Sequence, residues 1–371
     1  MLLMRLSGLS GTAHRERFSL ERYFPTPKLL LPRSTGVDIS DSSIKWMGLS
    51  GQTVRTFGSI RLPEGIVQGG LVKDPEALGV HLKRIVSETG ISGAHAALPE
   101  EAAYVFGMRL PVNTTREHAF DLIEFEFEGR VPIPPSTSVY DFDIVSERKD
   151  GEGVDIGVAV FPREVAESYV KAFEIAGMDL LSLEIEARSI ARAVSSSEAN
   201  EPITLIADFG RGRTGIALVQ YGIPIFTSTV SVGGDSITDV VKKDLSMDDK
   251  DAEYFKNEMG LTAGKKYEKT VESITATASA LADEISRHFH YWDTRRDERG
   301  ERMTPVGRVV LVGGSSNLRG LADFIASKVQ APTERGNVWR NICSFNEYIP
   351  PIDRRASLEY ATAAGLALRG S

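Results

Sequence analysis

The sequence of 371 residues has a single cysteine, Cys343, and no long hydrophobic run. A lone cysteine can form neither an intrachain disulfide nor a thiolate cluster for a metal, a composition typical of a reducing compartment. The longest apolar stretches, such as residues 29–31 and 309–312, fall far short of the roughly 20 residues that a membrane-spanning helix needs. These absences exclude a disulfide scaffold and an integral membrane protein, and they favour the cytoplasm.

An excess of basic charge is also lacking, because 43 Lys and Arg face 51 Asp and Glu for a net charge of -8. Without a basic stripe the chain is a poor partner for nucleic acid. Residues 1–35 are the exception, with six basic and two acidic side chains. We interpret this segment as a mobile basic arm, either without a partner or attracted to anionic lipid or to an acidic protein.

The sequence contains a duplication. Residues 36–49 read as a strand ending near Asp38, a short polar turn and a second, alternating strand, and residues 205–219 repeat this pattern around Asp208. A third strand follows in each half, and helical periodicity then occurs at residues 75–90 and 318–329. The duplication predicts two mixed sheets with helices packed on them, facing each other across a cleft.

Two segments interrupt the duplicated plan. Residues 94–177 predict strands at 96–98, 139–144 and 154–161 with helices at 115–128 and 162–176, which together describe a small inserted α+β unit. Residues 241–299 are rich in helix formers and charges and predict one long helix at 270–289. The resulting division is an arm at 1–35, a first lobe at 36–93 and 178–198, the insertion at 94–177, a second lobe at 199–240 and 300–371, and the helical insertion at 241–299.

The two hairpin turns that follow the acidic strand ends suit phosphate binding. Successive backbone N–H groups in a tight turn can point at an anion, and small residues permit close approach. Asp38 and Asp208 could each contribute to a hydrated Mg²⁺ site, because that ion keeps most of its waters and needs few carboxylates. A short hairpin with Asp and Gly also occurs in many unrelated proteins, so a purely structural turn is the alternative.

A third motif is more specific. Residues 309–321 read as a buried strand, the double glycine Gly313 and Gly314, and then a helix with Asn317 near its start. The absent side chains would let a flat purine or a ribose lie against the backbone, and a helix N-terminus adds favourable partial charge. A second pair, Gly233 and Gly234, begins another helix and could approach the phosphates from below.

Together these motifs resemble the two phosphate loops and the adenosine motif of the ATPase superfamily of actin, the heat-shock chaperones and the sugar kinases, at residues 36–45, 206–215 and 310–321. Within it, residues 36–370 are similar to the PilM family of type IV pilus assembly proteins, relatives of the division protein FtsA. Supporting segments are 62–65, 73–74, 97–99, 141–143, 158–160 and 361–367. The resemblance implies an α/β, duplicated actin-like (ribonuclease H-like) two-lobed fold. Its subdomains would be 1A and 2A for the lobes, 2B for residues 241–299, and an FtsA-type 1C for residues 94–177.

The resemblance also implies ATP and Mg²⁺ as cofactors and assigns residues to them. Asp38 and Asp208 would organise Mg²⁺ through water. The phosphates would be surrounded by Ser42, Ser43, Lys45, Gly210, Gly212 and Thr214, with Gly233 and Gly234 as the floor, and adenosine by Gly313, Gly314, Ser315 and Asn317. Glu253 and Lys256 resemble the ribose-contacting acid and base, although an exposed helical ion pair is an equal interpretation. Glu184 and Glu186, on a predicted helix at 184–194, are candidates for positioning an attacking water, or ordinary helix surface.

One position departs from the superfamily pattern. First phosphate loops usually carry a glycine where Ser40 or Asp41 stands, and an added carboxylate would repel a triphosphate unless it faces Mg²⁺ or solvent. Arg211 and Arg213 in the second loop either offset this charge by contacting phosphate or are simply solvated at the turn tip. The sequence leaves both interpretations open.

The resemblance implies a cytoplasmic, ATP-binding scaffold in type IV pilus or related secretion machinery, peripheral at the inner membrane. Its partner would be the N-terminal cytoplasmic tail of a PilN-like inner-membrane protein, held in a groove beside 1C. Other pilus components and self-association are further expectations, and any ATP hydrolysis would be slow. One alternative is a sugar kinase, which needs a catalytic acid and a sugar pocket that no motif supplies. Another is an FtsA-like division protein, whose amphipathic C-terminal helix has no counterpart after residues 361–368.

Overall fold

The computed structural model describes residues 34–147, 153–196, 202–296 and 302–369. The predicted basic arm at 1–35 lies outside these ranges except for its last two residues, which begin the first strand. Across the described ranges, no helix is both long enough and apolar enough to cross a membrane.

The described residues form fifteen strands. In chain order they are β1 (Ser34–Ile39), β2 (Ser43–Ser50), β3 (Thr53–Arg61), β4 (Val67–Gln68), β5 (Leu71–Val72), β6 (Gly93–Leu98), β7 (Tyr104–Leu110), β8 (Ser138–Glu147), β9 (Val154–Pro162), β10 (Asp179–Ile185), β11 (Ile203–Phe209), β12 (Thr214–Gln220), β13 (Ile223–Val230), β14 (Val306–Val312) and β15 (Thr333–Arg335).

The described ranges also contain nine α-helices. They are α1 (Pro75–Thr89), α2 (Arg116–Arg130), α3 (Arg163–Ala176), α4 (Glu186–Val194), α5 (Gly234–Leu245), α6 (Asp249–Glu258), α7 (Glu268–Asp293), α8 (Leu321–Val329) and α9 (Ala361–Ala367). Local sequence explains several boundaries. Asp74 caps α1 through the backbone N–H of Ala77, and Gly90 ends it in the left-handed conformation.

The predicted duplication is confirmed by the sheet topology. One five-stranded sheet has the order β10-β6-β1-β2-β3, and the other has the equivalent order β15-β14-β11-β12-β13. In each, an antiparallel meander of three strands is extended by two parallel strands on the side of its first member. The same local sequence pattern has therefore built the same sheet twice.

Helices α4 and α9 lie between the two sheets. The sequence analysis had predicted that the sheets face each other across a cleft, without helices between them. Helix α9 packs on β1 and β2, whereas α4 packs on α9 and on β12 and β13. One core therefore runs from the first sheet through these helices to Val310 and Val312 of the second sheet.

The inserted unit is smaller than predicted. Its sheet has the order β7-β9-β8, and α2 packs on it through Ile123 and Phe127. The strand predicted at 96–98 was wrongly assigned to it, because β6 pairs with β1 and β10 in the first lobe. The helix predicted at 162–176 packs mainly on α1, and β7 was not predicted. A short apolar run such as β6 carries no periodicity that reveals which sheet it joins.

Arg188 on α4 joins three parts of the fold. Its Nε donates to Asp143 Oδ2 on β8 at 3.0 Å, and its Nη1 donates to the carbonyl of Gly222 at 2.7 Å in the turn between β12 and β13. The side chains of Arg188 and Asp143 are only 21% and 6% exposed. The inserted sheet and the second lobe thus meet on one guanidinium group of the first lobe.

Candidate functional site

Four acidic residues lie at the carboxyl ends of strands of the two five-stranded sheets. Asp38 is the penultimate residue of β1, Glu100 follows β6, Glu186 follows β10, and Asp208 is near the end of β11. Strands β1, β6 and β10 are parallel, so their carboxyl ends meet at one edge of the first sheet. The equivalent edge of the second sheet supplies Asp208.

Burial, joined by mutual repulsion in three of them, raises the pKa values of these four acids. Burial, and then the charge of Asp208, raises the pKa of Glu100 to about 8, while burial and then the charge of Asp38 raises the pKa of Asp208 to about 6. The pKa of Glu186 lies well above its ordinary value for the same two reasons, and burial raises that of Asp38. A cation between the lobes would relieve this repulsion.

The first hairpin turn brings a lysine to the acids. Lys45 lies opposite Asp38 in the β1–β2 ladder, and its positive charge opposes the rise in the pKa of both Asp38 and Asp208. Its Nζ donates to Ser43 Oγ at 3.3 Å. Ser42 is exposed at the turn. The structure therefore brings Asp38, Ser43, Lys45 and Asp208 together, as the sequence predicted.

The second turn, residues 210–213, is held by hydrogen bonds to its backbone groups. Gly210 N–H donates to the Arg213 carbonyl at 3.0 Å, and the Gly210 carbonyl accepts from Gly234 N–H at 3.0 Å and from Ser315 Oγ at 2.9 Å. A Cβ built on Gly212 would meet nothing within 4 Å, so open space lies beside it. Thr214, by contrast, is fully buried and its hydroxyl donates to the Val232 carbonyl at 2.6 Å. The structure does not bring this predicted phosphate ligand to the open site.

The two turns face each other and are in contact. Arg213 in the second turn forms an ion pair with Asp41 in the first at 2.8 Å, and also pairs with Glu101 after β6. Arg211 points elsewhere and pairs with Asp235 at 3.2 Å, where both side chains are at least half exposed. Arg213 therefore contacts the first turn and Arg211 does not. The sequence alone could not tell which of the two arginines would do so.

Glycines form the floor below the turns because the backbone approaches itself closely there. A Cβ on Gly233 would lie less than 3.0 Å from the carbonyl oxygen of Arg211, and one on Gly234 would overlap Ser315 Oγ. Gly313 has φ +83°, and a Cβ there would overlap Asp208 Oδ1. Any larger residue would push apart the predicted phosphate and adenosine segments.

The adenosine motif differs in part from the prediction. Gly314–Asn317 is a short 3-10 turn, and α8 begins only at Leu321 after Gly320. The expected helix N-terminus is therefore not at Asn317, because Gly320 in the left-handed conformation interrupts the turn. Asn317 Nδ2 donates to the Arg355 carbonyl at 2.9 Å, while its buried Oδ1 accepts no hydrogen bond from the described residues.

Glu253 and Lys256 lie beside this floor. Lys256 is 1% exposed, and its Nζ donates to Glu253 Oε2 at 2.8 Å and to Thr238 Oγ1 at 3.0 Å. The Nζ also lies 3.3 Å from the position of a Cβ built on Gly234. This pair is therefore a half-buried group next to the glycine floor, rather than the exposed helical pair of the alternative interpretation.

The prediction that Glu184 lies on a helix was wrong. Glu184 is on β10, and the helix predicted at 184–194 begins at Glu186. The Glu184 carboxylate is fully buried and pairs with Arg192 at 2.5 Å and with Arg369. Its alternation with Leu183 and Ile185 is typical of a strand and was missed. Glu184 cannot position water, whereas Glu186 lies with the acids.

Sequence comparison decides the family. The family model described as type IV pilus assembly protein PilM matches residues 36–371. This chain belongs to the PilM family. The match includes all of the predicted site residues, and it confirms the resemblance stated from the motifs.

Relatives and solved structures agree with this assignment. The PilM-family chain is 22% identical over 362 residues to the cell division protein FtsA of Streptococcus pneumoniae, covering 85% of this chain and 79% of that protein. It is similar to the PilM-PilN type IV pilus biogenesis complex, with a TM-score of 0.74, 22% identity, and 91% and 98% of the two chains covered. MreB5 of Spiroplasma citri bound to ADP matches with a TM-score of 0.53 at 14% identity over 92% and 96% of the chains. The fold is therefore the predicted actin-like one.

The donor set of this PilM-family site fits a hydrated cation better than a directly bound one. Within the described ranges, no three His, Cys, Asp or Glu side chains converge as ligands of one metal ion. Asp38 and Asp208 are instead two carboxylates with raised pKa values near the ends of β1 and β11. Mg²⁺ is commonly held by one or two carboxylates through its waters. Open space for a ligand lies beside Gly212 in the second turn, where a Cβ would meet nothing within 4 Å.

Glu100 is the main acid that the sequence analysis missed. It follows Leu98 and Pro99 at the end of β6, and the Ala187 N–H donates to its carboxyl group. Had β6 been assigned to the first sheet, its parallel pairing with β1 would have placed Glu100 beside Asp38. Glu359 was missed as well. Burial raises the pKa of Glu359, and the charge of Lys45 opposes that shift.

Glu100 makes stability depend on pH. Its folded pKa of about 8 exceeds the ordinary 4.5, so the folded state holds a proton that the unfolded state loses. This contribution is fully present below about pH 4.5, declines as the pH rises, and is lost above about pH 8. We expect urea denaturation to show a loss on the order of a few kcal/mol across that range, and Glu100→Gln to remove it. An unchanged pH profile in Glu100→Gln would contradict the assignment.

Proposed function

We propose that this PilM-family chain is a type IV pilus assembly scaffold that binds ATP with Mg²⁺ between its lobes. The observation that carries the proposal is the opposition of two hairpin turns, each following a buried aspartate, over a glycine floor. Asp38 and Asp208 would hold the hydrated cation, and Lys45 with the amides of the second turn would contact phosphate. The solved structure of MreB5 bound to ADP has a similar fold and supports this proposal.

The remaining acids bear on hydrolysis. Bound Mg²⁺ would supply positive charge that offsets the phosphate oxygens. Glu100 and Glu186 lie with Asp38 and Asp208, and the raised pKa values of both glutamates disfavour the charged form that could accept a proton from water. We therefore expect slow turnover, with these side chains acting as bases only when a cation lowers their pKa values.

Thermal denaturation tests nucleotide binding. A ligand at 100 times its Kd stabilises the folded state by about 2.7 kcal/mol, so Mg-ATP should raise the Tm of the parent protein by several degrees. Asp208→Asn should remove most of this shift, because the cation loses a carboxylate. Asp323→Asn, at an exposed position on α8, is the matched control and should respond like the parent. A parent protein with no response to Mg-ATP or Mg-ADP would refute the proposed site.

We further propose that the chain binds the N-terminal cytoplasmic tail of a PilN-like inner-membrane protein, which would hold it at the cytoplasmic face of that membrane. Support comes from the family assignment and from the similarity to the PilM-PilN complex across 98% of that chain. The inserted unit also presents exposed apolar side chains, Phe125 on α2 at 82% exposure and Ile144 on β8 at 55%. A contiguous exposed apolar patch marks an interaction site, and we propose that these two side chains contribute to the surface that the tail covers.

Fluorescence anisotropy tests this partner. A labelled peptide with the N-terminal tail sequence of the PilN-like protein from the same organism should bind the full chain. Ile144→Asp or Phe125→Asp should weaken binding about tenfold, because each places a charge in an apolar contact. Val80→Asp on α1, an apolar position with 64% exposure, is the matched control. Equal binding of a scrambled peptide would contradict the proposal.

A further inference from the structure

Arg213 contacts two carboxylates of the opposite lobe at once. Its Nη1 donates to Asp41 Oδ2 at 2.8 Å and its Nη2 to Asp41 Oδ1 at 3.3 Å, which is a forked pair. Its Nε pairs with Glu101 Oε1. All three guanidinium nitrogens are therefore engaged by side chains of the opposite lobe, from a turn whose neighbours were predicted to bind phosphate.

Asp41 is fixed in position independently of Arg213. Its carboxylate also accepts from Gly69 N–H at 3.0 Å and Gly70 N–H at 2.8 Å. Both glycines have positive φ, +59° and +71°, so the turn between β4 and β5 can point two successive amides at one group. Burial alone would raise the pKa of Asp41, but the hydrogen bonds from Arg213 and these amides outweigh it and lower the pKa. Asp41 is therefore a fixed negative charge.

We propose that Arg213 and Asp41 form a latch between the lobes, which a bound nucleotide opens when its outer phosphates replace Asp41 as the partner of Arg213. This inference rests on the proposed nucleotide site and extends it. Asp41, the carboxylate that departs from the superfamily pattern, thereby lowers affinity for polyphosphates without blocking the site. It makes binding depend on the number of phosphates, because AMP has no outer phosphate to offer.

The charges and exposure favour such an exchange. Arg213 and Asp41 are 26% and 42% exposed, so solvent and ions reach this forked pair and screen it more than they would a buried one. Phosphate oxygens are well matched to the planar fork of arginine and carry more charge than one carboxylate. After the exchange the phosphates have a forked cation as their partner, and the amides of Gly69 and Gly70 still donate to the Asp41 carboxylate. The charge of Asp41 then lacks its cation and opposes the nearby phosphates, which is why this residue lowers the affinity for ATP.

Equilibrium binding of ATP and AMP to the full chain tests the latch. Asp41→Asn should tighten Mg-ATP binding about three- to tenfold and change AMP binding less than about twofold, because only ATP competes for Arg213. Arg213→Gln should weaken Mg-ATP binding about tenfold or more. In the double variant the gain from Asp41→Asn should disappear, because no guanidinium remains to be released. Arg211→Gln, in the same turn but paired with Asp235, is the matched control and should change neither affinity.

The outcomes separate the latch from the nucleotide site itself. A parent chain that binds neither ATP nor ADP refutes the proposed function and the latch with it. A parent that binds ATP while Asp41→Asn leaves its affinity unchanged refutes the latch alone. So does a gain from Asp41→Asn that persists in the Arg213→Gln background, since that gain would be general charge repulsion. The Tm of each variant without nucleotide should stay near that of the parent, and Arg213→Lys, which keeps the charge without the fork, should give an intermediate ATP affinity.

Discussion

Replacing Glu184 by glutamine is expected to lower the free energy of unfolding by about 3–5 kcal/mol, because it leaves buried arginine charge without its counter-charge. Glu184 is 0% exposed. Its two oxygens accept from Arg192 at 2.5 and 2.8 Å, and Arg369 pairs with it from the C-terminal part of the chain. The single carboxylate thus holds together β10, α4 and the segment after α9.

Urea denaturation at pH 7 measures this effect, and an exposed pair provides the control. Glu88→Gln on α1 breaks the pair with Arg84, whose side chains are 66% and 48% exposed, and should cost about 0.5 kcal/mol or less. Burial alone would raise the pKa of Glu184, but the two arginines lower it. Its contribution is therefore present above the ordinary pKa and is lost as the pH falls through the lower folded value. A cost equal to that of Glu88→Gln would contradict the interpretation.

Replacing Gly365 by alanine is expected to cost about 3 kcal/mol or more, although Gly→Ala in a helix ordinarily stabilises. A Cβ on Gly365 would overlap the carbonyl oxygen of Ser189, so α9 and α4 could not keep their present separation. The carbonyl of Gly365 also accepts from Arg192 Nη1 at 2.8 Å. Because α4 begins with Glu186, the displacement would reach the acidic site as well.

Gly129→Ala is the matched comparison for that prediction. Gly129 lies in α2 and a Cβ there meets nothing within 4 Å, so alanine should stabilise by up to about 1 kcal/mol. The two substitutions are chemically identical and should change the free energy of unfolding in opposite directions. Equal effects in denaturant titrations would show that α4 and α9 are not packed as closely as described.

The sequence was most informative where one local pattern determined both structure and position. The repeated strand, turn and strand around Asp38 and Asp208 predicted two equivalent sheets, and the shared topology places both aspartates at strand ends. Because a hairpin is local, its residues and its turn can be read from adjacent positions. Close backbone approach at the double glycines was predicted for the same reason, and the contacts that a Cβ would make at Gly234 and Gly313 agree with it.

What could not be predicted depends on contacts between distant segments. Glu100 was missed because the sequence does not reveal that β6 joins β1 rather than the inserted strands. Thr214 was expected at the phosphates, but its hydroxyl is used by the Val232 carbonyl. The pairing of Arg213 with Asp41 joins residues 172 positions apart. No periodicity within either turn contains that information.

The junction at Arg188 restricts how the molecule can move. Its guanidinium bonds the inserted sheet through Asp143 and the second lobe through the Gly222 carbonyl, from a helix of the first lobe. A hinge rotation of one lobe against the other must therefore either stretch one of these bonds or swing the inserted sheet along with it. A rotation that separates the two lobes would therefore also change the orientation of the inserted sheet, because Asp143 on β8 is bonded to Arg188.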